Sequence, residues 1–361
     1  MTTERNHGID ELRLLSMFYI VLMHSLLQGG ILYHAEYGSV AYAVSWLLEI
    51  ICFVSVDCFA LISGYVGYSD QPSKFHFSRW LSLWLEVVFY NLIIAMAMHL
   101  KNGVPNVQYY QYALLPVTAV TYWYFTAYTA LFFCIPLLNE GIRALSEKQL
   151  TMISCMAFLL FSVIETIRPV FGMNNGYSFL WLFVLYLFGA ALKRLRNHLP
   201  GSHPCILCIS VCTFILWVLI MSFGIGTGKD PNVNNRFLSY TSPFVLLSAA
   251  SYVILFSRKK ISEKKKAIIS RNAGNAFAIY LLDTQPYFFN HMLAGAFEPL
   301  LLHSVFLMLA VLLISSFLFS YACLIIDQVR TFIFEKLNIN RFCLHVESQF
   351  GKFADILLKN F

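Results

Sequence analysis

The sequence predicts an all-α polytopic membrane protein with about ten transmembrane helices and both termini in the cytoplasm. Its 361 residues are 58% hydrophobic and only 12% charged, so the chain has too little polar material to cover a water-facing surface. Apolar stretches of about twenty residues recur along it without the alternating polarity of barrel strands. Basic residues gather in every second connection between these stretches, which indicates the orientation.

Ten segments have the length and apolar composition of a membrane-spanning helix. The first follows a charged amino terminus, exceeds the length of a signal peptide and precedes no small-residue cleavage pattern, so we expect it to remain in the protein. The predicted spans are, in chain order, 12–32, 45–68, 78–100, 122–139, 150–166, 177–192, 204–223, 237–256, 273–291 and 301–326.

The orientation follows from the lysines and arginines of the connections, which collect on the cytoplasmic side of membrane proteins. The 258–266 loop is the richest of the basic connections. Of the 25 lysines and arginines, those predicted on the opposite side are Lys101, Arg168, Lys229 and Arg236. Both termini are therefore predicted to be cytoplasmic, which requires an even number of spans. The net charge of +6 has the same origin and predicts no nucleic-acid partner.

The chain is predicted to divide into a transmembrane domain, residues 1–327, and a cytoplasmic tail, residues 328–361. In the tail, apolar residues recur at helical spacing beside lysines, a pattern typical of an amphipathic helix that lies on a membrane surface. These residues are Phe350, Phe353, Ala354, Leu357 and Phe361, with Lys352 and Lys359. We expect this helix to contact the lipid of the inner leaflet.

Several ionisable residues fall inside the predicted spans, where each charge costs about 2.5 to 3.5 kcal/mol on insertion scales. They are His24, Asp57, Glu86, His99, Glu165, Asp283 and His291. His99, Glu165 and His291 lie near span ends, where snorkelling or a local ion pair accounts for them. His24, Asp57 and Asp283 lie deep within three different spans, so we expect them to meet in one polar cavity.

The first span carries a second charged residue in line with His24. Arg13 and His24 are eleven residues apart, about three helical turns, so they share one helix face with a separation of roughly 16 Å. Asp10, one turn before Arg13, can pair with its guanidinium. An arginine that binds phosphate and a histidine that acts as a base suit an elongated ligand such as a coenzyme A thioester. The alternative role for Arg13 is a positive-inside anchor.

The nine cysteines are scattered through the chain, and Cys205, Cys208 and Cys212 share one apolar helix face. A structural zinc site would need a fourth donor, and no nearby residue supplies one. The sequence therefore predicts that these cysteines fill the core and that the protein holds no metal.

Three motifs follow one another along the chain. They are Arg13 and His24 with ten residues between them and Asp10 before them; the segment FVSVDCFALISGY, which ends in Ser63, Gly64 and Tyr65; and Trp123, Tyr124 and Phe125 followed by Tyr128, Pro136 and Asn139. Together they resemble membrane acyltransferase family 3, whose members include O-acetyltransferases of lipopolysaccharide, capsule, peptidoglycan and other envelope glycans. Many members carry a histidine where this sequence has Asp283, which implies that this carboxylate either orients His24 or contacts the acceptor.

The resemblance implies transfer of an acyl group, most often acetyl, from cytoplasmic acyl-CoA to a hydroxyl of an envelope or exported glycan. It also implies a multi-pass protein of the bacterial inner membrane. The acceptor is expected to be a glycan or a lipid-linked sugar. Some relatives carry a fused extracytoplasmic esterase-like domain; without one, we expect this chain to act alone, as a homo-oligomer or with a separate glycan-assembly partner.

The predicted catalytic group comprises His24, Asp57, Asp283 and Tyr65. His24 is the base, either Asp57 or Asp283 holds its tautomer, and the transfer is direct or relayed. Tyr65 and Trp123 donate hydrogen bonds to the developing oxyanion, the alternative for both being packing or interfacial anchoring. The predicted donor-binding residues are Arg13, Asp10, Arg79, Ser63 and Trp123.

Three other functional classes fit a polytopic membrane protein. A secondary transporter would show internal repeats with helices interrupted at matching positions, and the sequence has no such symmetry. A membrane glycosyltransferase would cluster acidic residues in an early outer loop, where this chain has only Glu36. A noncatalytic scaffold would give no reason for the placement of Arg13, His24, Asp57 and Asp283.

Overall fold

The computed structural model describes residues 5–72, 75–104, 107–224 and 236–359. Lys74, Lys229 and Phe361 lie outside these ranges. All regular secondary structure of the described residues is helical, which confirms the predicted all-α class.

α-Helices make up most of the described residues. In chain order they are α1 His7–Leu27, α2 Ile31–His34, α3 Val40–Phe53, α4 Ser55–Gly67, α5 Phe77–Asn102, α6 Val107–Leu114, α7 Trp123–Ala144, α8 Glu147–Phe158, α9 Glu165–Ile167, α10 Phe179–Arg194, α11 Ser202–Phe223, α12 Pro243–Ser257, α13 Glu263–Gly274, α14 Ala276–Asp283, α15 Val305–Lys336 and α16 Ile339–Lys359. There are two π-helical turns: Leu159–Ile164 directly follows α8, and Phe288–Leu293 begins five residues after the end of α14.

Seven helical segments of the described residues are long and apolar enough to cross a membrane, as expected of a multi-pass membrane protein. They are His7–His34, Val40–Gly67, Phe77–Asn102, Trp123–Ala144, Glu147–Ile167, Ser202–Phe223 and Val305–Lys336. Each overlaps one of the ten predicted spans. The cytoplasmic location of the termini stays a prediction.

The other three predicted spans are shorter or broken. The span 177–192 is α10, whose 16 residues rise about 24 Å, less than the roughly 30 Å of a hydrocarbon core. The span 237–256 overlaps the 15-residue α12, Pro243–Ser257. The span 273–291 is interrupted: the eight-residue α14 ends at Asp283, and the π-helical turn begins five residues later. Composition alone predicted these three as full spans, and their helices are too short to establish the count of ten.

The centre of the bundle is α1, which packs against α3, α4, α12, α13, α14 and α15. Large apolar side chains on the outer helices face away from the bundle, with Phe214 of α11 and Phe306 of α15 more than half exposed. Such exposure would be unfavourable in water and is the expected surface toward lipid.

Two glycines bring α4 and α10 into direct backbone contact. A Cβ atom on Gly64 would lie 2.1 Å from the backbone oxygen of Tyr186, and one on Gly189 would lie 2.0 Å from that of Leu61. Small residues at such crossings let membrane helices approach closely and gain packing contacts. The glycine of the Ser63, Gly64, Tyr65 motif therefore has a packing role.

A buried ion cluster joins α5 to α15. The guanidinium of Arg330 binds Asp327 through two hydrogen bonds of 2.5 and 2.9 Å and lies 3.7 Å from Glu86. The Tyr90 hydroxyl donates to Asp327 over 2.7 Å. The Arg330 guanidinium is therefore the ionic partner that accounts for Glu86 inside a predicted span. Helix α15 passes the predicted domain boundary at residue 327 without a break.

The tail after α15 forms the single helix α16, which packs against the start of α5. Its remaining surface exposes large apolar side chains, among them Phe342, Phe353 and Ile356. Its contact with the inner leaflet stays a prediction.

Candidate active site

His24 and Asp283 form a close pair between α1 and α14. The His24 Nδ1 lies 2.5 Å from the Asp283 Oδ2, and the aspartate side chain is 1% exposed whereas the histidine is 16% exposed. The two residues are 259 positions apart in the chain, and the packing of α14 against α1 brings them together.

A break in the helical chain positions the partners of His24. Helix α14 ends at Asp283, Pro286 follows shortly after it, and the π-helical turn then carries Phe289. The Phe289 ring meets the imidazole edge-on with 5.1 Å between ring centroids. The Gln28 side chain donates to the Phe289 backbone oxygen over 3.2 Å, which ties this turn to the end of α1.

The Asp283 contact fixes the tautomer of His24. An ionised carboxylate only accepts hydrogen bonds, so the Nδ1 atom of neutral His24 carries the proton and donates it. No hydrogen bond joins Nε2 to another of the described residues, and the ring lines a cavity. The Nε2 lone pair is therefore available to take a proton from a bound molecule.

Asp57 lies in a different place from the pair. Its Oδ1 accepts a hydrogen bond of 3.1 Å from the Trp181 Nε1, and the side chain is fully buried. Within the described part of the chain its Oδ2 has no hydrogen-bond partner. Of the two carboxylates predicted to support His24, the structure brings Asp283 to the imidazole and places Asp57 against α10.

Arg13 lies three turns before His24 on α1. Its Nη1 donates to the Asp10 Oδ1 over 3.2 Å, and Arg5 binds the other oxygen of Asp10 over 2.5 Å. The predicted pairing of Asp10 with Arg13 is therefore present. A guanidinium has five N–H donors, so one contact to Asp10 leaves others for a ligand.

Four cavities lie in a row along the described structure. We call them the proximal cavity, of about 1040 Å³, beside Arg13; the neck cavity, of about 270 Å³; the histidine cavity, of about 290 Å³, beside His24; and the distal cavity, of about 390 Å³. The first two share Arg13, Ser63, Leu83 and Tyr128; the next two share Phe59, Tyr124 and Phe277; the last two share Thr121. Arg13 and His24 therefore line neighbouring cavities that have wall residues in common.

The proximal cavity is the largest of the four. Arg13 and Arg79 both line it, beside Ser63 and His76. The neck has Ile62 and Phe125 among its walls, together with Arg13 and Ser63. Three of the predicted donor-binding residues, Arg13, Ser63 and Arg79, thus share one cavity.

The histidine cavity has aromatic walls. Trp123 lines it together with Tyr177, Tyr240 and Tyr280, and the Trp123 and Tyr177 rings lie 4.7 Å apart. Tyr65 is half-buried on α4 and lines none of the four cavities. The structure thus places Trp123 in the cavity of His24 and Tyr65 outside all four cavities.

The profile of acyltransferase family 3, described as an acyltransferase domain, matches residues 6–325. The chain belongs to acyltransferase family 3. The resemblance seen in its motifs is confirmed, and the protein is an acyltransferase. Neither a curated protein nor a solved structure matches it significantly.

Family membership decides between the functional classes that the sequence left open. Acyl transfer is supported over transport, glycosyl transfer and a noncatalytic scaffold. Among the described residues of the acyltransferase, no group of three or more histidine, cysteine, aspartate or glutamate side chains could hold a metal ion.

The ionisable residues that were predicted near span ends, His99, Glu165 and His291, lie apart from the His24–Asp283 pair. Glu165 accepts backbone N–H bonds from Val170, Phe171 and Met173 at 2.9 to 3.1 Å, which closes the end of α9. His99 lies 3.0 Å from the Tyr110 hydroxyl. His291 lines the distal cavity.

Two residues next to the site, Tyr280 and Trp181, were not predicted from the sequence. Tyr280 lies one turn before Asp283 and its hydroxyl accepts the Tyr124 N–H over 3.3 Å, so helical spacing from Asp283 could have indicated it. No sequence signal indicates Trp181 as the partner of Asp57, because their contact depends on how α4 and α10 pack.

Proposed function

We propose that this acyltransferase moves a short acyl group, acetyl in the first instance, from cytoplasmic acyl-CoA to a hydroxyl of an envelope or exported glycan in the bacterial inner membrane. The observation that carries this proposal is the series of neighbouring cavities, each sharing wall residues with the next, beside Arg13, beside His24 and at the distal end. In the proposed function these cavities form a path along which donor and acceptor approach one histidine from opposite ends.

The donor end of the path is the proximal cavity. Arg13 and Arg79 supply two guanidinium groups, which bind phosphate oxygens through paired hydrogen bonds. Beyond Arg13, the neck presents Phe59, Ile62 and Phe125, apolar walls that suit the uncharged arm that carries the thioester. The roughly 16 Å between Arg13 and His24 separates a phosphate-binding end from a reacting end.

His24 acts as the base in the proposed transfer. Its Nε2 takes the proton of the acceptor hydroxyl while the hydroxyl oxygen bonds to the thioester carbonyl carbon. The carbon–sulfur bond then breaks, and the imidazolium returns the proton to the departing thiolate. The products are an acyl ester and coenzyme A with a free thiol.

Asp283 supports both halves of this step. Its contact with Nδ1 holds the imidazole in the tautomer that leaves Nε2 unprotonated. The carboxylate also stabilises the imidazolium formed midway. Trp123 lines the same cavity and is the aromatic hydrogen-bond donor in this scheme.

The acceptor end is the distal cavity. Asn91, Gln285, Asn290 and His291 line it, so it presents amide and imidazole groups to an incoming molecule. Such groups pair with hydroxyls as donors and as acceptors. This lining supports a hydroxyl-rich acceptor such as a sugar, free in a glycan or linked to lipid.

Glycan analysis tests the proposed acceptor and donor together. We expect mass spectrometry to find ester-linked acyl groups on an envelope glycan in cells that make the protein, and none in cells that make only His24→Ala at the same membrane level. Purified protein should also transfer labelled acetyl from acetyl-CoA to that glycan. Identical glycans in both cell lines, with no consumption of acetyl-CoA in vitro, would contradict the proposal.

A further inference from the structure

Helix α16 lies outside the segment that the family profile matches, which ends at residue 325. Three of its residues nevertheless line the proximal cavity: Asn340, Cys343 and Leu344. They share that cavity with Arg13 and Arg79. The largest of the four cavities thus has part of its wall contributed by a helix beyond the matched domain.

A carboxylate on α16 caps the start of α5. Glu347 Oε2 accepts the Ser78 backbone N–H over 2.7 Å, in the first turn of α5. The N-cap residue of α5 is His76, and among the described residues its own side chain makes no capping bond. Free N–H groups at a helix start favour a carboxylate, so Glu347 supplies from another helix the cap that α5 lacks.

Apolar contacts hold the same two helices together. The rings of Phe77 and Phe350 lie 5.0 Å apart, and Cys343 is only 2% exposed. Polar and apolar contacts therefore both fix α16 at the start of α5.

The Glu347 cap lies beside an arginine that lines the proximal cavity. Arg79 follows Ser78 directly in the first turn of α5 and lines the proximal cavity. Fixing the Ser78 backbone therefore fixes the base of the Arg79 side chain. Asn340 lines the same cavity with an amide that can donate a hydrogen bond to an anion.

We propose that α16 completes the donor site: Asn340 contacts the phosphate-bearing part of acyl-CoA, and Glu347 is a positioning residue for Arg79. This inference rests on the proposed function, because it takes the proximal cavity as the donor site. It adds to that function a binding element outside the family domain.

The first test places one negative charge at two positions of α16. Asn340→Asp puts a carboxylate in the cavity wall, where it repels phosphate. Ser348→Asp adds the same charge at an exposed position that lines none of the four cavities. In calorimetric titrations of the full-length protein in lipid nanodiscs, we expect Asn340→Asp to weaken coenzyme A binding about tenfold to a hundredfold and Ser348→Asp to leave it unchanged.

The second test addresses the positioning role of Glu347. Glu347→Ala removes the cap and should raise the KM for the acyl-CoA donor about tenfold with kcat retained, because the reacting groups near His24 are untouched. Glu347→Gln keeps an acceptor for the Ser78 N–H and should restore most of the donor KM. Loss of kcat and KM together, in Ala and Gln variants alike, would contradict positioning through the cap.

The outcomes separate this inference from the function on which it rests. If Arg13→Ala weakens coenzyme A binding while Asn340→Asp binds like Ser348→Asp, α16 is no part of the donor site and the proposed function stands. If the wild-type protein binds no coenzyme A, both proposals fail.

Discussion

His24 has one ring nitrogen held by Asp283 and the other free toward a cavity, and Arg13 lies three turns away along the same helix. Removing the base should therefore impair turnover, whereas removing the phosphate-binding group should impair donor binding.

His24→Ala is expected to lower turnover at saturating donor by about a hundredfold to ten-thousandfold, the usual contribution of a general base. Arg13→Ala should instead raise the donor concentration required by about tenfold to a hundredfold, because it removes a charge-assisted contact. Steady-state kinetics with acetyl-CoA measures both. Arg13→Lys is the control, since it keeps the charge but loses the planar fork. Normal donor affinity in Arg13→Ala with none in His24→Ala would reverse the assignment.

The two buried aspartates are expected to differ when each is changed to asparagine. Asp283→Asn removes the charge beside His24 and can leave the imidazole in the wrong tautomer, so acyl transfer should fall by at least about a hundredfold. Asp57→Asn keeps an acceptor for the Trp181 N–H and should retain most activity. Acetyl transfer by the two purified proteins measures this, and equal loss in both would show that Asp57 also serves His24.

At the scale of helices, the crossing of α4 and α10 depends on Gly64. Gly64→Ala places a methyl group 2.1 Å from the Tyr186 backbone oxygen, so the helices must separate at a cost of about 1 to 3 kcal/mol. Thermal unfolding in detergent should therefore shift to lower temperature.

The matched control for this crossing is Gly141→Ala on α7. A Cβ atom there would meet no described atom within 4 Å, and alanine favours a helix over glycine by about 0.5 to 1 kcal/mol. Its unfolding temperature should stay the same or rise. A Gly64→Ala protein as stable as Gly141→Ala would contradict the close crossing.

The docking of α16 on α5 is expected to depend on pH. The hydrogen bond from Ser78 holds the pKa of the Glu347 carboxyl below its usual range, and His76 and Arg79 add attraction. A carboxyl with a lowered pKa stabilises docking above its ordinary pKa of about 4.3 and loses this effect as the pH falls through the lower value. Spin-label distances between α5 and α16 should therefore stay constant near neutral pH and lengthen only in strong acid. Glu347→Gln should show no such step.

In the whole molecule, the four cavities follow one another from the Arg13 end to the distal cavity, and the basic connections predict which end faces the cytoplasm. If Arg13 faces the cytoplasm, the donor enters there and the distal cavity opens toward the exported glycan. The 258–266 loop carries six of the basic residues behind this orientation, at 258, 259, 260, 264, 265 and 266.

Cysteine labelling tests this orientation. Ser262→Cys in a cysteine-free background should react with a membrane-impermeant maleimide only after the cells are opened. Cysteine at position 36, in the first outer loop, is the control and should react in intact cells. Strong labelling at position 262 from outside would reverse the orientation and remove the cytoplasmic donor site.

The sequence alone determined the properties that depend on local geometry and bulk composition. The all-α class followed from apolar runs, because a chain in lipid must satisfy its backbone within each segment. Arg13 and His24 could be placed on one face because helical spacing is fixed over three turns. The motifs also indicated the family that the profile match confirms.

Only the tertiary structure decided which distant residues meet. The choice of Asp283 for His24 and of Trp181 for Asp57 depends on the rotation and depth of helices far apart in the chain, which apolar composition leaves open. Apolar composition likewise did not reveal that α10 and α12 are short or that the helix breaks after α14, because buried and membrane-crossing segments are equally apolar. The wall that α16 adds to the proximal cavity arises from the packing of a tail helix, which its own periodicity does not encode.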